Sequence, residues 1–196
     1  MTPAEKRLVL AAVALLAFVW LAEEVLHGRT LQFDNRVRMF VHAYANPALT
    51  ALMRGISLIG DPGVLVALTV PVMVWFVRTG RARTVLMFAI AMAGAELLDQ
   101  LLKLAFHRPR PATFFGLAQP MGYSFPSGHA LVSLAFFGAL AVFVARRRWL
   151  YYVAAAISVA AIGLSRVYLG MHYPTDVLGG WAAAAAWLFS VNLARR

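Results

Sequence analysis

Apolar residues gather in six stretches of the 196-residue chain, at about 8–26, 62–77, 84–106, 130–145, 149–164 and 177–194. A bilayer crossing takes about 20 mostly apolar residues in a helix, because lipid offers no partner to an unpaired backbone group. The pattern therefore predicts six transmembrane helices, several of them short enough to need tilt or local bilayer thinning. Lys6 and Arg7 precede the first stretch, as they would in a signal peptide. Glu23 and Glu24 stand near its end and no small-residue cleavage site is evident, so an uncleaved first span is expected.

Between the first two spans lie about 35 residues with helical periodicity but too little apolar length to cross. Val37, Phe40, Val41 and Tyr44 fall at i, i+3, i+4 and i+7, and Leu49, Leu52, Met53 and Ile56 repeat the pattern after Asn46-Pro47. Such segments suit helices that lie in the interface or pack against other spans. Asp61-Pro62-Gly63 reads as a helix start, with Asp61 as N-cap and Pro62 at the first helical position. The expected fold is all-α: one domain over residues 1–196, a polytopic bundle of six transmembrane helices with interfacial helices between spans one and two.

Composition agrees with this pattern. Hydrophobic residues make up 62% and charged residues 13% of the chain, and mean hydropathy is +0.73. A soluble domain is nearer half apolar and a quarter charged. The net charge of +10 would suggest nucleic acid in a soluble protein, but here the basic residues sit at the ends of apolar segments, as topology demands. No nucleic-acid partner is expected. With the N-terminus inside, Lys6, Arg7, Arg78, Arg81, Arg83, Arg146, Arg147, Arg148, Arg195 and Arg196 face the cytoplasm. Arg29, Arg36, Arg38, Arg54, Lys103, Arg108, Arg110 and Arg166 fall outside, and three of these have another use. The absence of cysteine excludes disulfides, thiolate metal sites and cysteine nucleophiles.

That topology brings three polar clusters to one surface: Lys103 through Arg110-Pro111, Pro126-Ser127-Gly128-His129, and Ser165-Arg166 with His172 and Asp176. Lys103, Arg110 and Arg166 offer three positive charges, and guanidinium groups suit tetrahedral oxyanions through paired donors. Ser127 and Gly128 stand where a helix begins, with the backbone N–H groups and positive dipole end that hold an anion; Ser127 also serves as an ordinary N-cap candidate. His172 and Asp176, four apart, can pair so that the carboxylate fixes one ring nitrogen and frees the other to attack. His129 remains as a proton donor for a leaving group. Asp99 lies four residues before Lys103 on one helix face and is expected to pair with it. His107 and Arg108 add positive charge near the mouth of the site, and Phe114, Phe115 and Tyr123 are expected to anchor the intervening loop.

Lys103-x6-Arg110-Pro111, Pro126-Ser127-Gly128-His129 and Ser165-Arg166-x5-His172-x3-Asp176 together resemble the three-part signature of the type 2 phosphatidic acid phosphatase (PAP2) superfamily. The resemblance implies that His172 attacks phosphorus to form a phosphohistidine, that Asp176 orients it, and that His129 protonates the leaving group and then activates water. It implies phosphoryl binding by Lys103, Arg110, Ser127, Gly128 and Arg166, with Asp99 and Ser165 in support and with no metal or other cofactor.

The reading that follows is a membrane lipid phosphatase whose partners are the bilayer and a lipid phosphate or diphosphate. Undecaprenyl diphosphate is the first expectation, on the brevity of the chain and the bacterial setting it suggests, followed by phosphatidylglycerophosphate and phosphatidic acid. A lipid phosphotransferase using the same intermediate, or a catalytically dead lipid-binding or transport protein, are the rival classes. The chain lacks cysteine, so topology is directly testable. A cysteine placed at 115 should react with a membrane-impermeant maleimide from outside, and one at 147 only after permeabilisation.

Overall fold

The computed structural model describes residues 1–144 and 149–193. Eight helices account for most of them: α1 (Pro3–Leu26), α2 (Leu31–His42), α3 (Pro47–Ile59), α4 (Pro62–Arg78), α5 (Ala82–Phe106), α6 (Gly128–Val144), α7 (Trp149–Tyr168) and α8 (Pro174–Leu193). Five of the expected cytoplasmic cations, Arg146, Arg147, Arg148, Arg195 and Arg196, lie outside the described residues.

The helix starts follow local chemistry. Thr2 closes a capping box with Glu5 at the head of α1, Asn46 caps α3, and Asp61 caps α4 by accepting from the Gly63 and Val64 N–H groups, each with proline just inside. Several helices begin or end a few residues beyond the apolar stretches. Polar ends such as Glu5-Lys6-Arg7 and Ser165-Arg166 keep helical hydrogen bonding although they add no hydropathy.

Three helices, α1, α5 and α7, are long and apolar enough by themselves to cross a membrane, and α3 with α4 passes as one unit bent by 52°. Helix α6 is apolar but only 17 residues long, as is α4. At 1.5 Å per residue, that is about 25 Å against a hydrocarbon thickness of about 30 Å. The six-span expectation thus meets a bundle whose helices reach the required length unequally.

The core runs between α1, α4, α5, α6 and α8, through Phe18, Phe88, Leu131 and Phe136 among others. Large apolar residues such as Leu16, Trp20, Val70, Leu101 and Ile157 point outward and are exposed. A soluble protein rarely shows so much apolar surface, whereas lipid is a fit solvent for it. Helix α2 departs from the expected pattern. Its buried residues are Asp34 and Arg38, while Phe33, Met39 and Phe40 are exposed. Its charged side is held by the protein and its apolar side is turned away.

Small residues let α6 and α8 approach closely. A Cβ on Gly180 would lie 2.7 Å from the Ser127 carbonyl oxygen and 3.0 Å from the Ala130 Cβ, and backbone cannot step aside as a flexible side chain would. Gly180→Ala should therefore destabilise the protein by about 1–3 kcal/mol through overpacking and displace the turn at Ser127. Gly55→Ala, where nothing lies within 4 Å, should leave thermal unfolding in detergent unchanged or slightly raised.

Candidate active site

The three polar clusters meet at one end of the bundle. Helix α5 arrives there with Asp99 and Lys103, whose ammonium donates to Asp99 at 2.6 Å, one turn apart on the same face. Helix α6 leaves from Gly128, and a Cβ there would sit 2.8 Å from Asp99 Oδ2 and 3.0 Å from Lys103 Nζ. Glycine lets the charged pair lie close against the helix start, and a larger residue would push Asp99 and Lys103 aside. Helix α7 brings Arg166, and the turn into α8 presents His172. A cleft of about 380 Å³ opens beside them, with His129, Arg166, Asp61, Arg54, Ser57 and Met171 on its walls; Lys103, Arg110, Ser127, Gly128 and His172 are not among its lining residues. Lys103, Arg110, Arg166 and His172 all lie within electrostatic reach of His129.

His172 is buried and held from both sides. Its Nε2 lies 3.0 Å from Arg110 Nη1, which can only donate, so Nε2 presents its lone pair. The proton then resides on Nδ1, 3.4 Å from Asp176 Oδ2. This is the tautomer that leaves Nε2 nucleophilic. Arg110 is braced in turn by the Gly122 and Met171 carbonyls.

Asp176 is fully buried and collects more donors than its spacing from His172 revealed. Oδ2 accepts from Ser124 Oγ and, at 2.8 Å, from the Tyr173 N–H; Oδ1 accepts from Arg108 Nη1 at 2.5 Å. Its carbonyl takes the Ser127 N–H at 2.9 Å. That last bond corrects one expectation: the Ser127 N–H is spent on the α8 start, so the N–H groups left at the head of α6 begin with Gly128. Nor does Ser127 cap the helix through its side chain. Its buried Oγ and the Nε of Arg166 have no protein partner. Arg166 donates from Nη1 to Ser57 Oγ at 2.5 Å. Two buried donors without partners beside a histidine suit an oxyanion.

Family comparison bears on the same residues. Residues 84–196 match the PAP2 superfamily. The chain belongs to the PAP2 superfamily. Phosphatidylglycerophosphatase B of Bacillus subtilis (strain 168) is 27% identical over 188 residues, 92% of each chain. The undecaprenyl-diphosphatase of Sulfolobus acidocaldarius is 30% identical over 138 residues, 68% of this chain and 64% of that one. Among solved structures, the transmembrane PAP2-type phosphatidylglycerolphosphate phosphatase of Bacillus subtilis superposes with a TM-score of 0.83 at 27% identity, covering 93% of this chain and 94% of that one. The protein is thus an integral membrane enzyme, a phosphatase of the PAP2 type.

Within this PAP2 chain, Ser165 does not reach the cleft. Its hydroxyl turns back onto its own helix and donates to the Ile162 carbonyl at 2.6 Å. Phe114 stacks on His42, Phe115 on Tyr168, and Tyr123 meets His107 edge-on, so these rings tie down the loop between α5 and α6. Four residues of the site escaped sequence reasoning. Arg108, set aside as peripheral charge, is buried and bridges Asp176 to Asp34. Ser124 and Asp34 carried no motif signal, and Asp61, recognised as a helix cap, also stands 3.8 Å from His129 Nε2. The RPRP run around Arg108 and Arg110 is the one local hint.

Burial pushes the His172 imidazole down to about 4; Asp176 opposes this, while Arg166 and Arg110 reinforce it. A depressed value keeps the ring neutral through the physiological range. The kcat/KM of the free enzyme should therefore hold on the acid side until pH falls through about 4, where His172 protonates and the nucleophile is lost. An acid limb near 6.5, the value of an ordinary histidine, would contradict this placement.

Proposed function

We propose that this protein removes a terminal phosphoryl group from a membrane lipid through a phosphohistidine on His172, without metal. The observation that carries the reading is the disposition of His172, with its lone-pair nitrogen beside Arg110 and its N–H directed to Asp176. As the Nε2 lone pair forms the N–P bond, the P–O bond to the leaving group breaks and that oxygen takes a proton from His129. His129 then accepts a proton from water, whose oxygen attacks phosphorus. The N–P bond breaks and its electron pair returns to Nε2. Lys103, Arg110 and Arg166, with the Ser127 hydroxyl and the Gly128 N–H, hold the equatorial oxygens and take up the developing charge.

The reading extends to topology. Helices α1, α5 and α7 end, and α4, α6 and α8 begin, at the same end of the bundle, since Thr30, Arg108 and Asp176 meet there, as do Asp61 and His129. Such alternation supports six crossings of the cell membrane by a single PAP2 domain over residues 1–196. On the basic-residue bias, both termini are cytoplasmic and the cleft faces outward. A cleft at the membrane surface favours a substrate with a hydrocarbon tail. A likeness that covers 92% of the chain is to a phosphatidylglycerophosphatase, which puts phosphatidylglycerophosphate level with undecaprenyl diphosphate as substrate.

Purified protein in detergent should release phosphate from one of these lipids, with the product rate indifferent to EDTA and inhibited by vanadate, which mimics pentavalent phosphorus. His172→Ala should lose phosphoenzyme labelling and at least about 10⁴-fold in kcat. His129→Ala should lose about 10²–10⁴-fold while still being able to label. Labelling that survives in the His172 variant would overturn the assignment. Product that appears only with an added alcohol acceptor, and little free phosphate, would make the protein a phosphotransferase.

A further inference from the structure

Helix α2 places a carboxylate inside the site. Asp34 is fully buried, on a helix whose other residues are mostly exposed. Its Oδ2 accepts from Arg108 Nη2 at 2.7 Å and from Thr175 Oγ1 at 2.7 Å, and its Oδ1 accepts from the Thr175 N–H at 3.0 Å. The other terminal nitrogen of Arg108 donates to Asp176 Oδ1 at 2.5 Å and to Thr175 Oγ1 at 2.9 Å. The guanidinium also lies 4.2 Å above the Tyr173 ring. One cation is thus shared between two buried anions, and one of those anions is the carboxylate that faces His172.

We infer that Asp34 is a positioning residue for phosphoryl transfer: through Arg108 it sets both the place and the effective charge of Asp176, and so the nucleophilic strength of His172. This rests on the proposed role of His172. The physical reason is the division of the Arg108 charge. With Asp34 present, Arg108 is drawn to both carboxylates and Asp176 keeps enough negative charge on Oδ2 to stabilise the Nδ1–H that gains positive character as N–P forms. Without it, the whole guanidinium charge falls on Asp176 and pulls electron density toward Oδ1, away from the histidine. The Thr175 N–H, next to Asp176 in the chain, would also lose its acceptor at the start of α8.

The test exploits opposite signs. The charged and titratable groups around His172 are Asp176, Arg110, Arg166 and, across the cleft, His129. Against that fixed background, Asp34→Asn removes a negative charge and Arg108→Gln a positive one. The imidazole midpoint of His172 can be followed by nitrogen NMR of the 15N-histidine-labelled protein in detergent, assigned by its absence in His172→Gln. It should fall in the Asp34 variant, because an imidazolium there is less stabilised, and rise in the Arg108→Gln variant. Arg108→Lys, which keeps the charge, should leave it near the wild-type position. In parallel, the Asp34→Asn kcat for dioctanoyl phosphatidic acid in micelles should fall roughly ten- to hundredfold, as losses of outer hydrogen-bond partners do, with KM little changed.

A general loss of folding would lower the signal of both variants without moving the midpoint in opposite directions. Midpoints that stay put, or that move the same way in both variants, would overturn the inference. Opposed shifts in the two variants, with a wild-type protein that never forms phosphoenzyme, would instead remove the histidine-nucleophile reading and leave the electrostatic link intact.

Discussion

Asp176 is the group on which the arrangement of this end of the protein depends. Its side chain ties together the α5–α6 loop through Arg108 and Ser124 and the α7–α8 turn through His172 and Tyr173, while its carbonyl holds the start of α6 through the Ser127 N–H. A carboxylate with no exposure to water is costly to bury unless its lone pairs are filled. Filling them requires the loops to adopt one geometry, and that geometry aims the histidine. Stability and chemistry therefore draw on the same hydrogen bonds. Removing one partner of a buried ion pair of this kind costs about 3–5 kcal/mol, so the network cannot be loosened piecemeal.

The charge distribution divides the molecule into two environments. Outward-facing Leu, Val and Ile side chains on the long helices suit lipid, while the buried ionic groups gather at one end among α2, α5, α7 and α8. Trp75, Trp149, Tyr151 and Tyr152 collect at the opposite end, at the C-terminus of α4 and the N-terminus of α7, where amphipathic rings suit an interface. A phosphorylated lipid has the matching division, with an anionic head and an apolar tail. Of the three cations proposed to hold the head, Lys103 is paired with Asp99, whereas Arg110 and Arg166 lean on neutral groups.

Much of this was legible along the chain. Apolar run lengths located the helices to within a few residues, Asp61-Pro62 marked the start of α4, and the i, i+4 spacings of Asp99 with Lys103 and of His172 with Asp176 corresponded to actual neighbours. For Asp99 and Lys103 a helical turn is the fixed ruler, whereas His172 and Asp176 are brought together by the turn into α8, where Asp176 accepts from the Tyr173 N–H. It was less informative for α2, where the apolar repeat of Val37, Phe40, Val41 and Tyr44 correctly marked a helix but not which side the protein would hold.

What the order of residues determined by itself was the class of fold, the clustering of cations with two histidines at helix ends, and the chemistry those residue types permit. Tertiary structure alone decided that Ser165 serves its own helix, that Ser127 spends its N–H on Asp176, and that Arg108 lies between Asp34 and Asp176 rather than at the mouth of the cleft. Asp34 and Arg108 are 74 positions apart and Asp34 and Thr175 are 141 apart. No periodicity reaches across such distances. A buried charge must find its partner wherever packing happens to bring one, and that is settled only when the helices are in place.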